Sequence, residues 1–315
     1  MNDWLAVLLG LLLLAIASEL LVRGSVHIAL TLGVSQMVVG ATLVAFGTSS
    51  PEMMVSTVAA WRGQGDIAVG NVLGSNTFNL GVILGVSALC RPILGVAAAA
   101  RFEMRYLVAT VALAFVPWLL GDRITRPFGA GLLAIVIVFM GLSIHRERRR
   151  ARADHAPAVQ RARGRMLLSC GMVVAGLVGL PFGADYLVQG AIGIAKSAGL
   201  SEAFIGLTII AAGTSLPELA TSVNAALKGH PEIALGNVLG SNIFNLGAVL
   251  GVAALIQPLA IDWAVDGPSL LLGAFYALWT AGQLRFFGSM GRVSGALFLG
   301  SYCVYLGYLV RTQAA

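Results

Sequence analysis

Charge is what this sequence has least of. Asp, Glu, Lys and Arg make up 11% of its 315 residues, against roughly 25% in soluble domains. With 58% of the chain hydrophobic, a water-soluble fold could not cover its own surface, so the natural solvent is lipid. Cysteine is also scarce. Cys90, Cys170 and Cys303 stand alone in apolar runs, without metal-type spacing or a disulfide framework, and read as small core residues. The four histidines are scattered, which argues against a zinc cluster. No polar stretch is long enough for a soluble regulatory domain. The net charge of +6 does not point to nucleic acid, because eight of the twenty Lys and Arg lie together in 146–165. Such a cluster beside apolar helices marks a cytoplasmic loop.

What is abundant is long apolar runs. A hydrocarbon core of ~30 Å takes about 20 apolar residues per helix. The runs give ten candidates: 4–33, 36–62, 66–91, 101–121 and 127–145, then 166–198, 202–228, 232–257, 264–282 and 290–311. The first run, with Ala15-Ile16-Ala17, has the outline of a signal peptide. Its leading residues carry Asp3 and no Lys or Arg, which opposes that reading, and the same helix recurs mid-chain. It is therefore expected to be retained. The domain plan is a first unit of residues 1–145, a basic linker 146–165 and a second unit 166–315.

An internal repeat organises the chain. Shifted by 166 residues, the sequence matches itself without a gap from Glu19 to Pro92, with about half the positions identical. GTSSPE at 47–52 falls on GTSLPE at 213–218, and GNVLGSNTFNLG at 70–81 on GNVLGSNIFNLG at 236–247. Each unit holds five candidate helices, an odd number, so the second must enter the membrane from the opposite side. The expected fold is an all-α integral membrane protein of ten transmembrane helices in two inverted-topology repeats of five, a plan common among secondary transporters. With the linker cytoplasmic and both termini outside, 15 Lys and Arg fall on the inner side and 5 on the outer, as the positive-inside rule favours. The expected location is the plasma membrane, the inner membrane in a prokaryote.

Glu52 and Glu218 lie inside long apolar stretches. A carboxylate at the bilayer centre costs about 3 kcal/mol on insertion scales and usually marks an ion or proton path. The bland alternative is a carboxylate paired with a neighbouring Lys or Arg, but neither segment has one near its glutamate. Pro51 and Pro217 precede the glutamates and lack an N–H, so the carbonyls of Gly47 and Gly213 lose their helical donor and the helix should break. Thr48, Ser49, Thr214 and Ser215 add hydroxyls beside each break. Hydroxyl, carbonyl and carboxylate oxygens are hard ligands, suited to Ca²⁺ or Na⁺. Asn71, Ser75 and Asn79 recur every four residues and share a helical face, as do Asn237, Ser241 and Asn245. Ser75, Asn79, Ser241 and Asn245 are expected to sit deeper. For Asn71, Asn76, Asn237 and Asn242 interhelical hydrogen bonding is an equally good reading. Glu19 and its repeat equivalent Asp185 either line an access path or stabilise a helix end.

GTSSPE with GNVLGSNTFN, present twice in inverted units, closely resembles the α-repeats of the cation/Ca²⁺ exchanger superfamily, and the compact prokaryotic sodium/calcium exchangers in particular. The likeness covers both repeats, nearly half the chain; the flanking helices fit the ten-helix plan by number and length alone. The resemblance implies ion sites at the membrane midplane among four helices. Glu52 and Glu218 would be the central ligands. Thr48, Ser49, Thr214 and Ser215 would contribute from the broken helices, with the carbonyls of Ala45 and Ala211, and Ser75, Asn79, Ser241 and Asn245 from the facing helices. Some members carry an aspartate where this chain has Asn79 or Asn245, a residue associated with potassium co-transport, and its absence counts against that activity here.

Two carboxylates are neutralised by one Ca²⁺ or by two Na⁺, so shared ligands would make binding of one cation exclude the other. A third Na⁺ on neutral oxygens, as the resemblance implies, would make the exchange electrogenic. It also implies that the first helix of each half moves past a fixed core to alternate access. The expected partners are Ca²⁺ and Na⁺ as substrates and the lipid bilayer, with no cofactor, nucleic acid or obligate protein partner. A Ca²⁺/H⁺ antiporter keeps the same fold, since glutamates carry protons. A cation channel and a membrane-embedded enzyme are the remaining alternatives. The channel fits poorly with one central site between inverted repeats, and the enzyme lacks any nucleophile–base pair or His/Cys metal cluster.

Overall fold

The computed structural model describes residues 2–119, 121–153, 166–199 and 211–313. Their helices, in chain order, are α1 (Asp3–Leu32), α2 (Gln36–Thr48), α3 (Ser50–Trp61), α4 (Gly65–Cys90), α5 (Ala97–Leu119), α6 (Arg126–Ala153), α7 (Met166–Ser197), α8 (Ala211–Gly213), α9 (Leu216–Leu227), α10 (Pro231–Ile256), α11 (Trp263–Phe286) and α12 (Arg292–Gln313). Among the described residues seven helices are long and apolar enough to cross a membrane, or eight when α2 and α3, bent by 45°, count as one span. Of the ten expected runs, 202–228 lies partly outside the described residues. Helix α11 is 24 residues long but falls short of the others in apolar content.

The two repeats build the same local structure. Helices α4 and α10 form the centre, 78% and 83% buried along their apolar spans, against 17–39% for the other spans. Each contains one widened π-helical turn, Asn79–Ile83 in α4 and Asn245–Val249 in α10. A third widened turn, Gly40–Val44, lies in α2. The equivalent turn glycines Gly33 and Gly199 both adopt left-handed φ, 64° and 79°, a conformation costly for residues with a Cβ. At α2 and α10 the backbones nearly touch: a Cβ on Gly236 would stand 2.6 Å from the Met37 carbonyl oxygen.

Helices α1 and α7 lie side by side and pack chiefly on one another. Their contact is made of small residues. A Cβ on Gly10 would meet Leu187 backbone nitrogen at 2.5 Å, and one on Gly176 the Ala17 carbonyl at 2.7 Å. This is the close approach that small residues permit between membrane helices.

Loops gather at two ends of the bundle. At one, β1 (Arg123–Ile124) pairs antiparallel with β2 (Leu259–Ala260). At the other, Ile93 bridges to Met290 and the Arg91 guanidinium donates to the Leu227 carbonyl at 3.1 Å. Helix α6 runs on to Ala153, into the segment expected as linker from residue 146; arginine and alanine are good helix formers and carry the helix past its apolar part. Residues 154–165 of that linker lie outside the described residues.

One expectation is corrected. Cys90, Cys170 and Cys303 are exposed rather than in the core. In a membrane the outer surface is as apolar as the interior, so apolar neighbours in sequence do not tell which way a thiol faces.

Candidate ion-binding site

The site starts from the two helix breaks. Helix α2 ends at Thr48, Ser49 leaves helical geometry at φ −81°, ψ 8°, and α3 starts with Pro51 in its first turn. Ser215 repeats this at φ −92°, ψ 7° before α9, with Pro217 in the first turn. Proline there costs nothing, because the first-turn N–H groups have no helical acceptor. The break also sets Glu52 and Glu218 in the first turn of α3 and α9, where the positive end of the helix dipole favours a carboxylate. Sequence reasoning foresaw the break but not this electrostatic benefit.

Both glutamates are fully buried, and among the described residues neither has a basic partner. Their hydrogen bonds instead cross between repeats. Ser49 donates to Glu218 Oε1 at 3.0 Å, and Ser215 donates to Glu52 Oε1 at 2.9 Å. The second oxygen of each, Glu52 Oε2 and Glu218 Oε2, is buried without a hydrogen-bond partner.

The facing helices add more unpartnered groups. Ser75 Oγ and Ser241 Oγ, both amide atoms of Asn79 and of Asn245, and Thr214 Oγ1 are all buried without partners. Ser75 stands beside Glu52, and Ser241 beside Glu218, short of hydrogen-bond geometry. Buried polar atoms are normally satisfied, and leaving one unpaired costs about 1–3 kcal/mol. The carboxylates with Ser75 and Ser241 beside them, and the unpaired oxygens of Asn79, Asn245 and Thr214, are oxygens of the kind a hard cation takes. Asn79 and Asn245 each open a widened turn of their helix, a distortion frequent at functional sites. Nothing in the residue pattern announced it.

The remaining expected residues divide. Thr48 Oγ1 donates to Asn237 Oδ1 at 3.1 Å and lies 3.4 Å from the Ala45 carbonyl. That carbonyl also accepts the Ser49 N–H at 3.0 Å, so any ion would use its second lone pair. Ala211 opens the short helix α8, and 200–210 before it lie outside the described residues.

Asn71, Asn76, Asn237 and Asn242 all donate hydrogen bonds through their amide nitrogens, while Asn76 Oδ1 and Asn242 Oδ1 stay buried without a partner. Asn71 Nδ2 donates to Ser56 Oγ at 2.9 Å, and Asn237 Nδ2 to Ser222 Oγ at 2.9 Å. Asn76 Nδ2 reaches the Asn242 carbonyl at 3.2 Å, and Asn242 Nδ2 binds the Val238 carbonyl of its own helix at 2.7 Å. Ser56 and Ser222 were missed. The available signal was that they are identical under the 166-residue shift and stand four residues after each glutamate.

Glu19 joins helices rather than the site. It pairs with Arg23 of its own helix, with Lys228 at 3.1 Å and with Asn224 Nδ2 at 3.2 Å, linking α1 to the end of α9. Asp185, its repeat equivalent, accepts from Gln189 of its own helix at 2.8 Å.

Known proteins are similar to this chain along most of its length. A family profile described as sodium/calcium exchanger protein matches residues 2–145 and 168–311. CaxA of Alkalimonas amylolytica, described as a candidate antiporter, is 38% identical over 95% of this chain and 96% of its own. The sodium/calcium exchanger MaX1 of Methanosarcina acetivorans is 31% identical over 82% of this chain and 84% of its own. Among solved structures, the sodium-calcium exchanger NCX_Mj, soaked with Na⁺ and Sr²⁺, superposes with a TM-score of 0.82 at 30% identity, covering 97% of both chains.

Proposed function

This chain belongs to the sodium/calcium exchanger protein family, a premise from which we propose that it exchanges Ca²⁺ for Na⁺ across a membrane by alternating access. It is a multi-pass membrane protein and a cation/Ca²⁺ antiporter, so its role is transport rather than enzymic catalysis. The observation that carries the sodium/calcium reading is the pair of fully buried glutamates, each with an unpartnered oxygen, among unpartnered Ser, Thr and Asn groups and without a basic residue.

In this reading Glu52, Glu218, Ser49, Ser215, Ser75, Ser241, Asn79, Asn245, Thr48, Thr214 and the carbonyls of Ala45 and Ala211 hold the transported ions. One Ca²⁺ or two Na⁺ neutralise the carboxylates. Because the same oxygens serve both loads, the two cannot bind together, and that exclusion is the physical basis of antiport. A further Na⁺ on the neutral asparagine and hydroxyl oxygens makes each cycle move net charge, worth ~2.3 kcal/mol per charge per 100 mV. With asparagine at 79 and 245, transport needs no K⁺.

Helices α1 and α7 are the moving element. They pack chiefly on each other, so the pair slides over the core at little cost in packing. The chain completes ten spans in two inverted repeats. Its basic end faces the cytoplasm, and the protein lies in the plasma membrane, or the inner membrane of a prokaryote.

The test is radiolabelled Ca²⁺ uptake by proteoliposomes loaded with Na⁺. Uptake should require the outward Na⁺ gradient, proceed without K⁺ and rise with an inside-positive potential, because more than two Na⁺ leave for each Ca²⁺ that enters. Uptake driven by a pH gradient alone would move the assignment to Ca²⁺/H⁺ antiport. Uptake indifferent to any counter-ion would leave a channel.

A further inference from the structure

Away from the ion site, at the end of the bundle where Ile93 bridges to Met290, α5 and α11 line an open cavity of about 680 Å³. That is within the roughly 300–1,000 Å³ of ligand sites. Three arginines line it: Arg101 and Arg105, one turn apart on α5, and Arg285 in the last turn of α11. None among the described residues of the lining is acidic. Among the described residues, none of the three guanidinium groups has a hydrogen-bond or ion-pair partner. The arrangement is not part of the symmetric transport core, since the positions 166 residues after Arg101 and Arg105 are Gly267 and Leu271.

Three unpaired guanidinium groups around one cavity call for an anion with several oxygens. Their planar forks suit phosphate, which they grip in bidentate fashion. What surrounds the cavity says how that phosphate is attached. On α11, Leu271, Phe275 and Leu278 are 61%, 47% and 60% exposed. They fall at helical spacing on one stripe that continues through Gly282 to Arg285. An apolar, outward-facing stripe thus leads into a basic cavity at the helix end. Gly282 is the step between them, and no described atom lies within 4 Å of where its Cβ would be. A free phosphate would use the arginines but not the stripe; a lipid would use both.

We propose that this cavity binds the phosphate of an anionic phospholipid, with the head group among Arg101, Arg105 and Arg285 and an acyl chain along Leu278, Phe275 and Leu271. Basic pockets between helices on the cytoplasmic side are known to hold such head groups.

The test is native mass spectrometry of the purified full chain, released from micelles carrying equal phosphatidylglycerol and phosphatidylcholine, with inorganic phosphate as a third probe. The wild type should retain phosphatidylglycerol in preference to phosphatidylcholine and show no adduct with millimolar phosphate. Replacing all three arginines by Gln should cut that preference on the order of 100-fold, at roughly fivefold per arginine. Gly282→Leu keeps every charge but obstructs the passage from stripe to cavity, and should lower phosphatidylglycerol retention by itself. It decides the matter if the triple variant does not fold. Equal retention of the two lipids by the wild type, or unchanged preference in either folded variant, overturns the proposal. Phosphate bound as well as phosphatidylglycerol would make this a site for the free anion and overturn the lipid assignment.

Discussion

Ser49 of the first repeat donates a hydrogen bond to Glu218 of the second, at 3.0 Å, inside a site closed to solvent. The mirror bond from Ser215 to Glu52, at 2.9 Å, means that each repeat holds the other's carboxylate. A hydrogen bond to a charged group is worth about 1.5–3 kcal/mol, and the same hydroxyl oxygens are expected to bind the ions. Ser49→Ala and Ser215→Ala should therefore raise the half-saturating Ca²⁺ concentration by similar factors, roughly tenfold or more. A Ca²⁺ titration of uptake checks this. A large effect from one serine and none from the other would contradict the reciprocal arrangement.

The carboxylates themselves should tolerate no neutralisation. Glu52→Gln or Glu218→Gln leaves one negative charge for a divalent cation. Removing one partner of a buried charge pair costs about 3–5 kcal/mol. Initial uptake at sub-saturating Ca²⁺ should fall to the order of 1% of wild type or below in either variant, while the purified proteins elute as the wild type does.

Close packing of α2 on α10 fixes the site's walls. A Cβ at Gly236 would sit 2.6 Å from the Met37 carbonyl and 3.0 Å from the Ala41 nitrogen, both backbone atoms that cannot swing aside. Gly236→Ala should destabilise by about 1–3 kcal/mol and lower the thermal unfolding midpoint in detergent. Gly300→Ala in α12, where no described atom lies within 4 Å, should not lower it and should raise it slightly, since alanine is the better helix former by about 0.5–1 kcal/mol.

The link from Glu19 to Lys228 ties α1, proposed above to move, to the end of α9, at 3.1 Å. Among the described residues Asp185 on α7 has no such link: it accepts from Gln189 of its own helix. Both partners of the Glu19 pair are partly exposed, with side chains 23% and 49% accessible, so the pair is worth about 0–1 kcal/mol. Lys228→Met should change the exchange rate less than about fivefold and leave equilibrium Ca²⁺ affinity alone. Comparing turnover with binding in the same preparation separates the two.

Much of this was legible in the sequence, for physical reasons. Glu52 and Glu218 are conspicuous because charge in an apolar run is costly, and Pro51 and Pro217 announce a break because they remove a donor. The repeat, visible within one chain, paired these residues. Other features depend on how the halves interlock, which local spacing does not encode. The exchange of Ser49 and Ser215 between repeats is one. The widened turns at Asn79 and Asn245 are another, since a turn one residue longer is set by packing rather than by residue type. Asn71 and Asn237 were ambiguous because Ser56 and Ser222, on the facing helices, decide their role. The thiols of Cys90, Cys170 and Cys303 were misplaced because lipid and core look alike to an apolar run.

The central claim is that Ca²⁺ and Na⁺ compete for the same two carboxylates. The most direct measurement is equilibrium binding of radiolabelled Ca²⁺ to the purified protein across a Na⁺ titration, with Glu52→Gln and Glu218→Gln alongside. The account expects Na⁺ to displace Ca²⁺ completely, with a Hill coefficient above one, and neither variant to bind measurable Ca²⁺. Ca²⁺ that stays bound at saturating Na⁺, or wild-type binding in either variant, would contradict it.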